Sequence, residues 1–577
     1  MDRRDADRPR PSRPPIGAVL SRAATLVLAA ALAGVPVPAA AAAQAAAPAP
    51  APAAASAQAA GTAADTFPEP PPRELGELDF PTSGDPAAKP WFERGLLLLH
   101  SFEYDDARSA FRRAQEIDPD YVMAHWGEAM THDHPLWRQQ DRAAARAALE
   151  ALAPTREERL AAAGTDRERA YLRAAEILFG DGPGPRRDTL YARAMGELAD
   201  AHPEDEDARL FHALARLGLS QGERHVPTYV EAGAGALRVF DENSRHPGAA
   251  HYTIHAFDDP VHAPLALEAA RTYGELAPGA AHARHMTSHV FVALGMWEEV
   301  VAANEAAARA TAGARGEPGG SLHPCGHYAE WLAYGYLQRG RAGDAGRLIR
   351  RCRERARETG DRRAWSSTAR MRAIWLVDAP SIGGEIAAWE LPGDRLSAWW
   401  RTADAFADGL AAARSGDAAA ARGALARLEE ERAELPDRLD AEGRILATTL
   451  RALARRAEGD PEAALEAARE AAAEEAALEV PYGPPGTFLP PRELVGRLLL
   501  DLDRPAEARR AFRRALERTP RRPRALAGLA RAAAAAGRSG EAERACRELT
   551  AIGSAADGGW PVPTVCARSL DAGGAGG

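Results

Sequence analysis

The sequence predicts an all-α fold, an α-solenoid of antiparallel helix pairs, and three observations support this. The 577-residue chain is 46% hydrophobic but only 6% aromatic, and its richness in alanine and arginine is typical of helical repeat proteins. Small, aromatic and proline residues recur at fixed offsets in two distant segments. Finally, the steps from His251 to His285 and from His255 to His289 are both 34 residues, the length of a two-helix repeat.

The repeated positions have a packing explanation. Two helices of a hairpin cross closely only where small side chains allow it, and a proline after the second helix stops that helix. The first repeat has the residues Gly95, Ala107, Phe111, Ala114 and Pro119. A second set has identical spacing near the C-terminus: Gly496, Ala508, Phe512, Ala515 and Pro520. One period later the register continues with Ala530, Ala542, Cys546 and Leu549.

This pattern resembles the tetratricopeptide repeat (TPR) superfamily, in which small residues, an aromatic and a proline occupy these positions. The resemblance covers about residues 88–550 and implies a TPR-like α-solenoid. Its first helices would line a concave groove that holds a peptide, a protein or a small ligand. Residues 138–200 and 360–400 do not fit a single period, so we expect longer helices or inserted segments there.

The chain divides into five predicted segments. Six arginines accompany a short apolar run, 23–35, that is too short to span a bilayer comfortably. We predict a signal peptide (1–43), an Ala/Pro-rich disordered linker (44–87), an N-terminal TPR-like solenoid with a His-rich groove (88–360), C-terminal TPR-like repeats (361–550) and a tail (551–577). The mature protein is expected to be periplasmic or secreted, without a stable membrane span; the alternative is a retained membrane anchor.

The charge of the chain argues against nucleic acid as a partner. The formal net charge is −10, and removal of residues 1–43, with six Arg and three Asp, makes it −13. Binding to nucleic acid needs a basic face that releases counterions.

The histidines predict a metal site. All 16 lie between His100 and His327, and the i, i+4 spacing of each pair places both rings on one helix face. The repeat register points these rings into the groove, where neutral imidazoles suit zinc, copper, nickel or iron. The four primary candidates are His251, His255, His285 and His289, and the secondary candidates are His282 and His327.

Other groove residues extend this hypothesis. Asp258 or Glu330 would complete the coordination sphere or act as the catalytic base on a bound water. Tyr252 and Tyr334 would orient a substrate. Trp126 and Met130 either form an apolar wall of the groove or pack in the core.

Three functions therefore stay open at the level of sequence. The first is an exported scaffold or binding protein whose groove holds a transition metal such as Zn, Cu or Fe. The second is a metal-dependent enzyme that acts on a small molecule or peptide in the groove. The third is a metal-free, peptide-binding adaptor. His132 and His134 are either a satellite site or polar residues at a helix end, and His262 is interpreted as a loop residue.

The four cysteines favour two disulfides in an exported chain. Cys325 begins a first helix and Cys352 lies near the end of its antiparallel partner, while Cys546 lies in the last helix and Cys566 in the tail. The alternatives are free thiols, or Cys325 as a metal ligand beside His323 and His327. The sequence has no phosphate-binding loop, nucleophile elbow, H-E-x-x-H helix or C-x-x-C pair, which argues against nucleotide-dependent and serine-hydrolase functions.

Overall fold

A computed structural model of the chain describes residues 74–220, 224–380, 384–480, 482–557 and 562–566. These residues all belong to one compact unit. The predicted signal peptide and most of the predicted linker lie outside the described residues. The five-segment division itself stays a prediction.

The first half of the described chain is helical apart from one small hairpin. Its helices are α1 (Lys89–His100), α2 (Tyr104–Ile117), α3 (Val122–Met130), α4 (Arg142–Glu150), α5 (Arg156–Ala162), α6 (Asp166–Leu178), α7 (Gly184–Ala201), α8 (Glu206–Gly218), α9 (Val226–Glu242), α10 (Pro247–Ala256), α11 (Leu267–Leu276) and α12 (Ala281–Leu294). Strands β1 (Asp133–His134) and β2 (Gln139–Gln140) pair antiparallel, with Asp133 opposite Gln140 and His134 opposite Gln139.

The second half continues the helix pairs. Its helices are α13 (Trp297–Ala314), α14 (His327–Gln338), α15 (Ala342–Thr359), α16 (Arg362–Asp378), α17 (Ala398–Ser415), α18 (Ala418–Arg432), α19 (Asp440–Ala457), α20 (Pro461–Ala477), α21 (Pro491–Asp501), α22 (Pro505–Arg518), α23 (Pro523–Ala535) and α24 (Ser539–Ile552). Four short 3₁₀ turns accompany them, at Ala263–Ala266, Gly393–Arg395, Asp437–Leu439 and Gly553–Ala555. The predicted all-α solenoid of antiparallel helix pairs is confirmed.

The repeated aromatic residue locks three helices together. Phe111, fully buried on α2, lies so close to Gly95 of α1 and Gly127 of α3 that a Cβ at either glycine would come within 2.7 Å of its ring. At the other end, Phe512 on α22 lies in the same way between Gly496 and Gly528. Glycine on both neighbouring first helices therefore makes room for one ring per repeat, as close packing requires.

The two segments that break the period contain inserted structure. The β1–β2 hairpin and the short helix α5 interrupt the first. In the second, the described residues between α16 and α17 form no α-helix, and Ile386 and Ala387 contact α16. Arg372 of α16 donates hydrogen bonds to the Ile386 and Ala387 carbonyls and pairs with Asp404 and Asp408 of α17. Arg372 thus joins α16 both to this connecting segment and to α17.

Contacts between distant repeats position the centre of the chain. Helix α1 contacts α10, and the His100 side chain reaches Tyr252 through a 2.9 Å Nδ1–Oη hydrogen bond. From the C-terminal repeats, buried Arg522 donates to Asp378 at 2.5 Å and to Glu493 at 2.8 Å. Among the described residues, no helix has both the length and the apolarity needed to cross a bilayer.

Candidate metal centre

Six histidines come from the first helices of three successive hairpins. Helix α10 carries His251 and His255, and α12 carries His282, His285 and His289. The sixth, His327, begins α14. Helix α12 ends at Gly295, whose left-handed φ of 65° and close approach to the Pro520 carbonyl leave no room for a side chain.

The first three rings form what we call the His251 trio: His251, His255 and His282. The His251 Nε2 lies 3.1 Å from the His255 Nε2 and 3.2 Å from the His282 Nε2. Each residue offers one nitrogen, and these three nitrogens lie within 4.8 Å of one another. His251 is fully buried, and its two partners are half-buried.

The other three rings form the His285 trio: His285, His289 and His327. The Nε2 atoms of His285 and His289 are 3.1 Å apart, and the ring centroids of His285 and His327 are 4.5 Å apart. Their ligand nitrogens also lie within 4.8 Å of one another. His285 is fully buried, while His327 is exposed at the edge of the cluster.

The four primary candidates therefore do not share one point. The structure divides them between two trios and adds His282 to one and His327 to the other. The reason is the helix geometry, because His282 lies one turn before His285 on α12 and turns toward α10. The trios remain neighbours, with ring centroids of His255 and His289 6.2 Å apart.

Hydrogen bonds fix the tautomers of His251, His285 and His289. The Nδ1 atom of His251 lies 2.7 Å from the His100 carbonyl, which only accepts, so Nδ1 carries the proton. The Nδ1 atom of His285 lies 2.7 Å from the Asn304 Oδ1, and the Asn304 amide nitrogen donates to the Val300 carbonyl, which orients the amide. The Nδ1 atom of His289 lies 2.5 Å from Asp258 Oδ2.

With Nδ1 protonated, the Nε2 of each neutral ring presents a bare lone pair. His285 and His289 then aim two lone pairs at each other across 3.1 Å. Two nitrogens on one tetrahedral ion at about 2.05 Å would be about 3.3 Å apart. The pair therefore has nearly the separation that a shared metal ion requires.

Burial keeps these rings in the neutral, metal-binding form. Desolvation lowers the pKa of His251, His255, His282 and His285 well below the usual value, and the neighbouring histidines lower it further. Proton loss therefore does not oppose metal binding at neutral pH.

The two carboxylates bond to protein side chains. Asp258 is buried and bonds to the outer nitrogen of His289, which is the arrangement that orients a ring in metal sites; its predicted role as a ligand or base stays a prediction. Glu330 accepts a hydrogen bond from Ser367 at 2.7 Å and lies 3.5 Å from Arg370. Two side chains of α16 therefore hold that carboxylate, and its predicted role as a base stays a prediction.

The four predicted groove residues are mainly packing residues. Trp126 is fully buried among the rings of Phe80, Tyr171 and Phe211, so it belongs to the core. Met130 is buried and lines a cavity described below. The hydroxyls of the tyrosines are occupied, Tyr252 by His100 and Tyr334 by Arg522.

Aromatic side chains that sequence reasoning missed enclose the trios. The Phe102 ring lies 4.3 Å from the His251 ring, and the Trp331 ring lies 4.4 Å from His289 and 4.8 Å from His285. Trp331 follows His327 by one helical turn, a signal that was available in the sequence. Phe102 gave no such signal, because it reaches the trio through a left-handed backbone, φ 56°.

A loop before α21 covers the His285 trio. The Tyr482 hydroxyl bonds to the Tyr229 hydroxyl at 3.1 Å, and its ring lies 6.5 Å from the His289 ring. The next residue, Gly483, has φ 72°, and a Cβ there would lie 2.1 Å from the Trp331 ring. A glycine is therefore required for this close approach.

The remaining histidines have separate partners. The His100 Nε2 lies 2.8 Å from Asp207 Oδ1, and the His246 Nε2 lies 3.5 Å from the same oxygen. Burial raises the pKa of Asp207, but hydrogen bonds from both histidines outweigh it and hold that pKa below its usual value. Near the chain's small hairpin, the His134 ring stacks on Tyr104 at 3.7 Å. His262 bonds to Asp259 in the loop after α10.

All four cysteines are joined in two disulfides. Cys325 pairs with Cys352 across a Cα–Cα distance of 5.0 Å, and Cys546 pairs with Cys566 across 5.2 Å. The thiol of Cys325 is therefore not a free metal ligand, and its neighbour His323 bonds to Glu317.

A cavity of about 310 Å³ lies beside the His251 trio. Its floor is apolar, and its polar residues come mainly from the β1–β2 hairpin and α7. Burial raises the pKa of Asp133 in this cavity to about 7. Phe102 and Tyr252 line the cavity on the side of the His251 trio.

The fold and the repeated packing positions define a helical-repeat scaffold protein. Family models of the tetratricopeptide repeat match residues 88–121 and 496–557. The chain therefore contains tetratricopeptide repeats in these two segments. Sequence comparison gives no match to a curated protein.

Several solved structures share a distant likeness. Yeast Tom70 has 12% identity and a TM-score of 0.27, over 84% of this chain and 88% of that chain. The APC/C hetero-tetramer Cut9–Hcn1 has 12% identity and a TM-score of 0.29, over 84% and 96%. A human IFIT1 dimer with PPP-AAAA has 11% identity and a TM-score of 0.32, over 78% and 88%.

Proposed function

We propose that this TPR scaffold binds a transition metal, zinc, copper or iron, through the histidines of α10, α12 and α14. The observation that carries the proposal is the 3.1 Å separation of the His285 and His289 Nε2 atoms while both Nδ1 atoms donate elsewhere. Two buried lone pairs that face each other repel, and a cation between them converts the repulsion into two bonds. Protonation is the alternative cation, but burial opposes it in His285.

The ligand shell has the form that metal sites use. The rings of His251, His285 and His289 donate their Nδ1–H to a carbonyl, an amide and a carboxylate oxygen, respectively. Such a hydrogen bond fixes the orientation of a ring and raises its basicity. The donors are all nitrogen, which suits zinc, copper and iron better than calcium or magnesium.

Metal content tests the proposal directly. Full-length protein, purified without a histidine tag and incubated with one metal at a time, should retain it after gel filtration. The double variant His285→Ala/His289→Ala should retain less metal than the wild type, while the matched control His225→Ala, on an exposed residue, should retain as much. A wild-type protein of full helicity that retains none of the three metals would overturn the proposal.

An enzymatic role is the second candidate, and the cavity favours it. The cavity shares the walls formed by Phe102 and Tyr252 with the His251 trio. Its volume of about 310 Å³ suits a small, mainly apolar molecule. Azide added to cobalt-substituted protein distinguishes the two roles, because a changed visible spectrum indicates an exchangeable position. An unchanged spectrum indicates a closed, structural site.

We also propose that the protein is exported to the periplasm or secreted. The arginine-led apolar N-terminus supports this, and the two disulfides suit an oxidising compartment. Expression of the full chain in a bacterium, followed by N-terminal sequencing of the periplasmic fraction, should show cleavage near residue 43. An uncleaved protein in the cytoplasm would contradict export.

A further inference from the structure

We propose that the six histidines hold two metal ions side by side, one in each trio, as a dinuclear centre. This inference rests on the metal-binding function proposed above and adds the number of ions and their arrangement. The two trios share helix α12 but have separate central rings, His251 and His285.

The number of donors exceeds the capacity of one four-coordinate ion. A four-coordinate ion uses at most four imidazoles, which would leave at least two of the six without a metal. In the His251 trio, the Nε2 atoms of His255 and His282 both lie within hydrogen-bond distance of the His251 Nε2. Since the His251 Nδ1 holds the proton, its single Nε2 lone pair cannot satisfy two neighbours equally.

The distances between ring centroids divide the six histidines into two groups, each arranged around one central ring. In the first, the His251 centroid lies 4.7 Å from His255 and 5.0 Å from His282. In the second, the His285 centroid lies 5.0 Å from His289 and 4.5 Å from His327. The centroid distances between the two groups are longer, 6.2 Å from His255 to His289 and 6.4 Å from His282 to His285. Each central ring is therefore the common ligand of its own ion.

Helix α12 sets the distance between the two ions. It gives His282 to the first trio and His285 and His289 to the second. A step of three residues advances about 4.5 Å along an α-helix, so the two ions lie on the order of 4–6 Å apart. At this distance the two ions interact electrostatically and magnetically, as in two-metal sites.

The charges predict what else enters the centre. Imidazole is a neutral ligand, and the carboxylate of Asp258 bonds to the outer nitrogen of His289. Two divalent ions would bring four positive charges into a largely buried site, which is costly without counter-charge. Each trio also leaves an ion at least one position short of four. A small anion such as hydroxide, bound between the ions on the side of the half-buried His255 and His282, would fill both needs.

Copper(II) is the probe that tests this arrangement. Metal-free full-length protein should bind two copper ions per chain, measured by elemental analysis after gel filtration. Its electron paramagnetic resonance spectrum should be dipolar-broadened or weaker than the bound copper requires, since the two spins lie close together. The variants His251→Ala and His285→Ala should each bind one ion and give a sharp, full-intensity signal.

Additional variants protect the test against misfolding. His282→Ala and His327→Ala remove a less buried member of each trio and should give the same one-ion result, while His225→Ala should retain two ions. One ion per chain in the wild type, or two ions with sharp independent spectra, would overturn the dinuclear centre. Either result leaves metal binding intact, whereas a wild type without copper, zinc or iron overturns the proposed function itself.

Discussion

The contact between Asp258 and His289 gives the sharpest quantitative prediction. Asp258 is 2% exposed, and its Oδ2 lies 2.5 Å from the His289 Nδ1. The substitution Asp258→Asn preserves shape but removes the charge that holds the proton on Nδ1. Loss of such an outer partner costs about 10–100-fold in metal affinity, which corresponds to about 1.4–2.7 kcal/mol.

The loss should be confined to one trio. A competition titration with a chelating dye should show two binding steps in the wild type, and only the step of the His285 trio should weaken in Asp258→Asn. The matched control is Asp259→Asn, because Asp259 is similarly buried but bonds to His262 and to the loop backbone. Equal affinities in wild type and Asp258→Asn would refute the orienting role of this carboxylate.

Three further predictions concern stability. When the pH falls from 7.5 to 5.5, the free energy of unfolding of the metal-free protein should fall by about 1.4 kcal/mol for each of His251 and His285. Their pKa values are lowered in the folded protein, so these rings take up a proton only when the chain unfolds. Urea titrations at the two pH values measure this change. Phe512→Ala should cost about 3–5 kcal/mol, since the ring fills the space between two glycines. Replacing Cys325 and Cys352 by serine should cost about 3.5 kcal/mol, from the 27-residue loop that the disulfide closes.

Each of these stability changes has its own check. The sign of the pH effect follows because the unfolded state binds more protons below about pH 6.5, and a pH-independent unfolding free energy would contradict it. The control for Phe512→Ala is Leu190→Ala, which removes an exposed side chain and should change stability little. A disulfide variant with unchanged thermal stability would show that the cross-link does not constrain the unfolded chain.

Much of the fold was predictable because close packing leaves a local record. Gly95 and Phe111 recur as Gly496 and Phe512 at the same spacing, and the structure gives both pairs the same contact. The i, i+4 histidines were predictable for a related reason, since helical periodicity places them on one face. Segments 138–200 and 360–400 were recognisable only as departures, because inserted loops obey no period.

The division into two trios was not predictable from spacing alone. The repeat register predicted His251, His255, His285 and His289 as metal ligands. The direction of each ring, however, depends on the angles at which α10, α12 and α14 cross. The partners that fix the tautomers also come from elsewhere: the carbonyl of His100 reaches His251 from α1, and Asn304 reaches His285 from α13. No sequence offset links these atoms.

The sequence by itself determined the repeat length, the helix pairing and the face of each helix that carries imidazole. Tertiary structure decided which imidazoles meet, gave Asp258 the role of orienting His289, and committed Glu330 and Tyr334 to other partners. The physical reason is range. Helical periodicity and packing between neighbouring helices act over short stretches of chain, so the spacing of residues in the sequence reflects them. Coordination geometry depends on the angles between helices, which the packing of the whole chain determines.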